Sequence, residues 1–287
     1  MLKERINEQE IKTIFNSISS KKMYLKKMYL SKNITLKIPN KNKDLDNAII
    51  NTWDYDISKE IIRSLYKNTD KYIHSKRSYN LLKKRIKEWN DLKLGKIEWP
   101  FSPMAFDSHI RSINSMTISS KEKDQLIIDE VIRFRRIKEI NTLRNDYIEY
   151  LIVENNDNII PTLKHNKGID FYIEGIPYDQ KVSRSPTKKF IEDFKDINYK
   201  TYAIKNKNKV AEYLYKYQDS ERFGYNNRLL VVYLDQDVTD KDIERCFKEV
   251  DFSKPIHLNF TYDLKGSKKE YQTNCYVILL YTREKVE

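Results

Sequence analysis

The sequence predicts an α/β fold, in which a mixed β-sheet is flanked by helices and follows a mainly helical N-terminal region. In the first half, apolar residues recur three and four positions apart, as in SKEIIRSLYKNTDKYI and SYNLLKKRIKEWNDL. After residue 158, short runs rich in β-branched and aromatic residues take over. Helical patterns separate the later runs from each other. The predicted order is a long helix, three strands, a helix, a strand, a helix and a final strand.

The domain organisation follows from these patterns. We expect residues 1–125 to form the helical region, for recognition or dimerisation, and residues 126–287 to form the α/β core. Pro100 and Pro103 punctuate the end of the helical region. The longest helical pattern runs from Leu126 to about Glu154. Its apolar stripe comprises Ile128, Val131, Phe134, Ile137, Ile140, Leu143, Tyr147 and Leu151.

The elements of the core are read from local patterns. The predicted strands are IIPTL, GIDFYI, IPYDQKV, RLLVVYLD and NCYVILLYT. Residues 155–158, Asn-Asn-Asp-Asn, prefer turns and therefore end the long helix. Helical sequence lies between Thr187 and Gln218, and KDIERCFKEV predicts a further helix.

Composition limits the class of protein. The net charge of +12 and the pI of about 9.3 favour a polyanionic partner, although an AT-rich genome would also enrich lysine. The sequence contains no apolar run of about 18 residues, and its N-terminus lacks a secretory pattern. Cys246 and Cys275 have no metal-ligand spacing, and the sequence leaves a disulfide between them open. We therefore expect a cytoplasmic protein without a membrane span.

The candidate site lies in a predicted hairpin. Glu174 and Gly175 predict a two-residue turn, because such turns need a positive φ. Counting outward from the turn places Asp170 opposite Asp179. Since strand side chains alternate, Lys181 lies on the same face as both acids. Tyr172 shares that face, as core or as a substrate contact.

This arrangement predicts a site for a divalent cation. Two carboxylates about 5 Å apart across a ladder repel each other, and a bound cation would remove that cost. Mg²⁺ prefers one or two carboxylates and completes its shell with water and phosphate oxygens. Lys181 lies about 7 Å along the strand from Asp179, where it would stabilise charge on a phosphate. The alternative is an exposed hairpin with ordinary surface charges.

These residues resemble the signature of the PD-(D/E)XK nuclease superfamily, which is an acid on one strand and acid-x-Lys on the next. Here the residues are Asp170, Asp179 and Lys181, and Ile169 stands where the signature has proline. Glu149 resembles the glutamate that many members carry on the preceding helix, with Glu130 and Glu139 as alternatives. The motif residues span 149–181, and the order of elements extends the resemblance over 126–287.

The resemblance implies a restriction-endonuclease-like core and Mg²⁺-dependent hydrolysis of double-stranded DNA that leaves a 5′-phosphate. It implies Asp170, Asp179 and the Val182 carbonyl as metal ligands, with Glu149 and Lys181 as further catalytic residues. Within the superfamily, the size and the lack of a P-loop favour a type II restriction endonuclease. A homodimer and a neighbouring DNA methyltransferase gene would accompany that function.

The segment after Lys181 suits a DNA backbone. It offers hydroxyl groups and cations for phosphate oxygens, from Ser183, Arg184, Lys188 and Lys189. Two other functions stay open: a repair or junction-resolving nuclease of the same superfamily, and a non-catalytic DNA-binding protein.

Overall fold

The computed structural model describes residues 30, 33, 55–95, 97, 102–166, 168–217, 226–235, 238–264 and 267–283. The chain forms two compact units. The first unit comprises residues 1–69 and 151–287, and the second unit comprises residues 70–150. The expected boundary at residues 125 and 126 differs from this division. The long helix crosses from one unit into the other, and a change of pattern in the sequence does not show that.

The helices have the following bounds: α1 Tyr55–Lys67, α2 Asp70–Asp91, α3 Pro103–Asn114, α4 Ser120–Glu154, α5 Lys188–Asp193, α6 Tyr199–Lys205, α7 Lys207–Tyr217 and α8 Asp240–Lys248. A 3₁₀ turn at Lys195–Ile197 joins α5 to α6. The predicted long helix is confirmed as α4, although it begins at Ser120. None of the helices in the described ranges combines the length and the apolar composition that crossing a membrane requires.

The second unit has a core around Trp89. This side chain packs with Leu82 of α2 and with Ile137, Ile140 and Leu143 of α4. Its indole N–H donates to the Gly95 carbonyl at 2.7 Å, so burial leaves the polar atom satisfied.

The apolar stripe predicted on α4 is buried only in its C-terminal part. Tyr147 and Leu151 are buried, whereas Ile128 and Val131 are 51% and 46% exposed. These two residues belong to the apolar stripe of the sequence but lie at the surface. Helical periodicity identifies the apolar face of a helix, but it does not show how far along that face other elements pack.

The first unit contains a sheet of six strands in the order β1-β2-β3-β4-β6-β5. Their bounds are β1 Ile159–Asn166, β2 Ile169–Ile173, β3 Ile176–Ser183, β4 Arg228–Tyr233, β5 Ile256–Leu264 and β6 Ser267–Leu280. The β1–β2, β2–β3 and β5–β6 pairs are antiparallel, whereas β3–β4 and β4–β6 are parallel. The predicted mixed sheet is therefore confirmed.

One strand was missing from the prediction. β5 lies between α8 and β6 and pairs with β6 along its whole length. Its sequence, IHLNFTYDL, alternates apolar and polar residues, so a period-two signal was present. β6 also begins earlier than predicted, at Ser267. The first part of β6 carries mostly polar side chains, so no apolar run marks it as a strand.

Helices cover the sheet on both faces. On one face, α5, α6 and α7 contribute to a buried cluster with alternate residues of β4, β5 and β6. On the other face, α8 contacts β6, and the ring of Phe252 lies 5.1 Å from that of Tyr276. Cys246 and Cys275 are both free thiols and both buried.

Candidate functional site

The hairpin turn has the predicted geometry. Glu174 and Gly175 have φ values of 50° and 81°, so both central residues adopt the left-handed conformation. The ladder pairs Ile173 with Ile176 and Phe171 with Tyr178, which confirms the expected register for these residues. The same count sets Asp170 opposite Asp179, one step beyond the last paired residues.

Asp170 ties the two strands together where their ladder ends. Its Oδ2 accepts the backbone N–H of Gln180 at 2.7 Å. Its backbone carbonyl accepts the hydroxyl of Thr162, on β1, at 3.1 Å. The Asp170 carboxylate is therefore held beside β3 by a backbone hydrogen bond.

Asp179 is the most enclosed acid of the site. The residue is 5% exposed, and its N–H donates to the Asn227 carbonyl at 3.1 Å. Its carboxylate contacts the Lys181 ammonium group at 2.9 and 3.0 Å and forms an ion pair with the Arg228 guanidinium. The burial of this carboxylate is thus compensated by two cations.

Arg228 is a site residue that the sequence analysis missed. It is the first residue of β4, pairs directly with Asp179 in the parallel register and is 3% exposed. Burial lowers the pKa of Arg228, and the nearby Asp170 carboxylate acts in the opposite direction. A signal was present, because an arginine that opens a fully apolar strand must find an acidic or polar partner.

The register places the charged groups on one face. Lys181 pairs with Leu230, which belongs to the cluster beneath α5, α6 and α7. Since side chains alternate along strands, Asp179 and Arg228 lie on the same face as these two residues. Asp170 joins them through the β2–β3 register. The Lys181 side chain is 41% exposed, so solvent reaches the site from that side.

The donor set fits a magnesium ion. No cluster of three or more His, Cys, Asp or Glu side chains arranged to bind a metal occurs among the described residues. Two carboxylates satisfy Mg²⁺, which fills its other positions with water and phosphate oxygens. The Asp179 N–H points towards β4, so the carbonyl of Val182 points to the opposite edge of β3, as the Gln180 N–H does. That is the edge where Asp170 lies.

The helix glutamates are engaged within the second unit. Glu149 contacts Lys71 at 2.6 Å, and 17% of its side chain is exposed. Glu139 pairs with Arg85 at 2.7 Å, and Glu130 lies 3.7 Å from His109. The role expected of Glu149 stays a prediction.

A cavity of about 480 Å³ begins at the end of β3. Its walls include all four residues predicted to contact DNA, namely Ser183, Arg184, Lys188 and Lys189, and also Glu192 and Tyr217. The Ser183 hydroxyl donates to the Ser185 carbonyl at 2.7 Å, which fixes the turn after the strand. Lys189 pairs with Asp193 at 2.7 Å, whereas the side chain of Lys188 is exposed.

Comparison with known proteins gave no match, since no protein-family model, curated protein or solved structure is significantly similar to this chain.

Proposed function

We propose that this chain is a magnesium-dependent endonuclease that hydrolyses phosphodiester bonds in double-stranded DNA, and specifically a type II restriction endonuclease. The observation that carries the proposal is the hairpin register, which sets Asp170 and Asp179 on one face with Lys181 beside them. A pair of acids, one of which is buried, next to a lysine is costly for the fold and is typical of metal-dependent phosphoryl chemistry.

In this proposal, each residue has a distinct role. Asp170, Asp179 and the Val182 carbonyl would hold Mg²⁺, which supplies an activated water and polarises the phosphate. Lys181 stabilises the negative charge that develops on the phosphate oxygens, because its ammonium group lies beside Asp179 and stays open to solvent.

The cavity at the end of β3 supports a nucleic-acid substrate. Arg184, Lys188 and Lys189 bring three cations to one concave surface directly after the strand that carries Asp179 and Lys181. Hydroxyl groups and cations in this position suit the phosphates that flank a cleaved bond. The net charge of +12 agrees with such a partner.

We also propose that the protein acts as a homodimer. In the second unit, several apolar side chains are exposed on α4 and before it, which are Met116, Ile118, Leu126, Ile128, Val131 and Ile132. An apolar surface of this kind is a candidate subunit interface. A dimer would match a palindromic DNA site, and light scattering during gel filtration tests it. A DNA methyltransferase encoded nearby would protect the host.

The decisive experiment incubates the pure protein with plasmid DNA and Mg²⁺. Discrete fragments are expected from a restriction endonuclease, and chelation of the metal should stop their formation. The Asp179→Asn variant tests the site, since it keeps the size of the side chain and removes its charge. Cutting by that variant at the wild-type rate would overturn the proposed site.

A second candidate is a DNA-binding protein without nuclease activity. The ion pairs of Asp179 with Lys181 and Arg228 favour it, because they engage the carboxylate that a metal would need. In the plasmid experiment, this protein would retard the DNA and leave it intact. A repair or junction-resolving nuclease would instead cut a four-way junction and spare linear duplex.

A further inference from the structure

We propose that Arg228 is a positioning residue that serves as the counter-cation of Asp179 and keeps the affinity for a divalent metal low until DNA phosphate is present. The inference rests on the proposed nuclease function, because it concerns the same carboxylates. It adds a role for a residue that the acid and lysine motif does not include.

The position of Arg228 is fixed by the strands around it. The preceding residue, Asn227, accepts the Asp179 N–H on its carbonyl at 3.1 Å. The Asn227 side chain accepts the Asn274 N–H at 3.0 Å and donates to the Pro177 carbonyl at 3.3 Å. Asn227 thus joins β3 to β6 at this point, and the next residue places its guanidinium on the Asp179 carboxylate.

The charges of the site cancel without a metal. Asp170 and Asp179 supply two negative charges, and Lys181 and Arg228 supply two positive ones. A divalent ion that enters this partly buried cluster is repelled by both side-chain cations at short range. A bound DNA phosphate restores the balance, so metal and DNA bind cooperatively, and each raises the affinity for the other.

A purely structural role for Arg228 makes a different prediction. If the ion pair served only the fold, replacing Arg228 would lower stability and leave the affinity for metal unchanged or weaker. The proposal requires a gain instead, since removal of one positive charge beside Asp179 lets a metal ion approach more favourably. Metal affinity in the absence of DNA therefore separates the two roles.

The test is calorimetric titration of the DNA-free protein with Mg²⁺. We expect Arg228→Gln to bind the ion about tenfold more tightly than wild type. Arg228→Lys, which restores the positive charge, should return the affinity towards the wild-type value. Arg283→Gln is the matched control, because it removes the same charge from an exposed side chain of the same unit. Equal or weaker binding by Arg228→Gln overturns the inference.

A second measurement tests the inference if Arg228→Gln is less stable than wild type. A ligand that binds only the folded state raises the melting temperature, so Mg²⁺ should stabilise this variant more than wild type. If the variant is unfolded without metal, millimolar Mg²⁺ should restore its circular dichroism spectrum. A variant that stays unfolded under those conditions also overturns the inference.

The two proposals fail separately. Absence of DNA cleavage by the wild-type protein would refute the nuclease function, while the titration would still report the effect of Arg228 on metal affinity. Tight binding of Mg²⁺ by the wild-type protein without DNA would refute the role of Arg228, while cleavage would still support the nuclease.

Discussion

Asp179 and Arg228 face each other across the parallel β3–β4 ladder, and their side chains form an ion pair in which the residues are only 5% and 3% exposed. The pair lies inside the sheet, so it connects the stability of the fold to the candidate site. A change at either residue should therefore alter both the free energy of unfolding and the chemistry of the carboxylate.

The first prediction concerns the energy of this pair. Asp179→Asn and Arg228→Gln should each lower the free energy of unfolding by about 3 kcal/mol, because each leaves one buried charge without its main partner. The double variant should lose less than the sum, with a coupling of about 1–3 kcal/mol. Urea unfolding of the four proteins measures this cycle. Additive losses would contradict a direct interaction.

The second prediction concerns Lys181. Because its side chain is 41% exposed, Lys181→Met should change the free energy of unfolding by less than about 1 kcal/mol. Cleavage should fall about a hundredfold or more, since the charge that forms on the phosphate loses its nearest cation. Lys254→Met is the control, as that lysine is 82% exposed and pairs with Asp251 on a loop. An unchanged cleavage rate in Lys181→Met would exclude the lysine from catalysis.

Much of the fold was predictable because local patterns determine it. The β2–β3 register follows from the Glu174-Gly175 turn, since a two-residue turn leaves one way to count outward. Strand β5 and the start of β6 were not predicted. They pair with each other in a hairpin, but polar residues interrupt both segments, so neither forms an apolar run. The division into two units was not predictable either, since a continuous helix gives no local sign of belonging to both.

The candidate site was predictable only where its residues lie close in the chain. Asp170, Asp179 and Lys181 belong to one hairpin, so the turn is sufficient to relate them. Arg228 joins through the parallel pairing of β3 with β4, which follows a crossover of several helices. The sequence does not fix the register of such a pairing, because no short turn links the two strands.

The third prediction concerns the turn that sets the register. Gly175 has a φ of 81°, so Gly175→Ala should lower the free energy of unfolding by about 1–2 kcal/mol. Glu174 has a φ of 50°, which asparagine adopts more readily. Glu174→Asn should therefore stabilise the protein by a few tenths of a kcal/mol. The urea midpoints of the two variants measure these changes in stability. Changes of the same sign in both variants would argue against the left-handed conformation of the turn.

The fourth prediction concerns the cavity after β3. Lys188 is exposed at its rim, so Lys188→Ala should leave stability unchanged and weaken DNA binding. The slope of log affinity against log salt should decrease by about 1, because one fewer phosphate is neutralised. Fluorescence anisotropy at several salt concentrations measures the slope. Lys254→Ala should keep the wild-type slope, and an identical slope in Lys188→Ala would place DNA elsewhere.

The fifth prediction concerns the two thiols. Burial raises the pKa of Cys275 from 9.0 to about 12 and also raises the pKa of Cys246. At pH 8 both groups stay protonated and enclosed in the folded protein, so a thiol reagent should label neither until denaturant is added. Single Cys→Ala variants identify which thiol reacts. The raised pKa of Cys275 also makes the protein less stable between about pH 9 and 12, because only the unfolded chain loses that proton there. Rapid labelling of the folded protein at pH 8 would contradict the burial of these two residues.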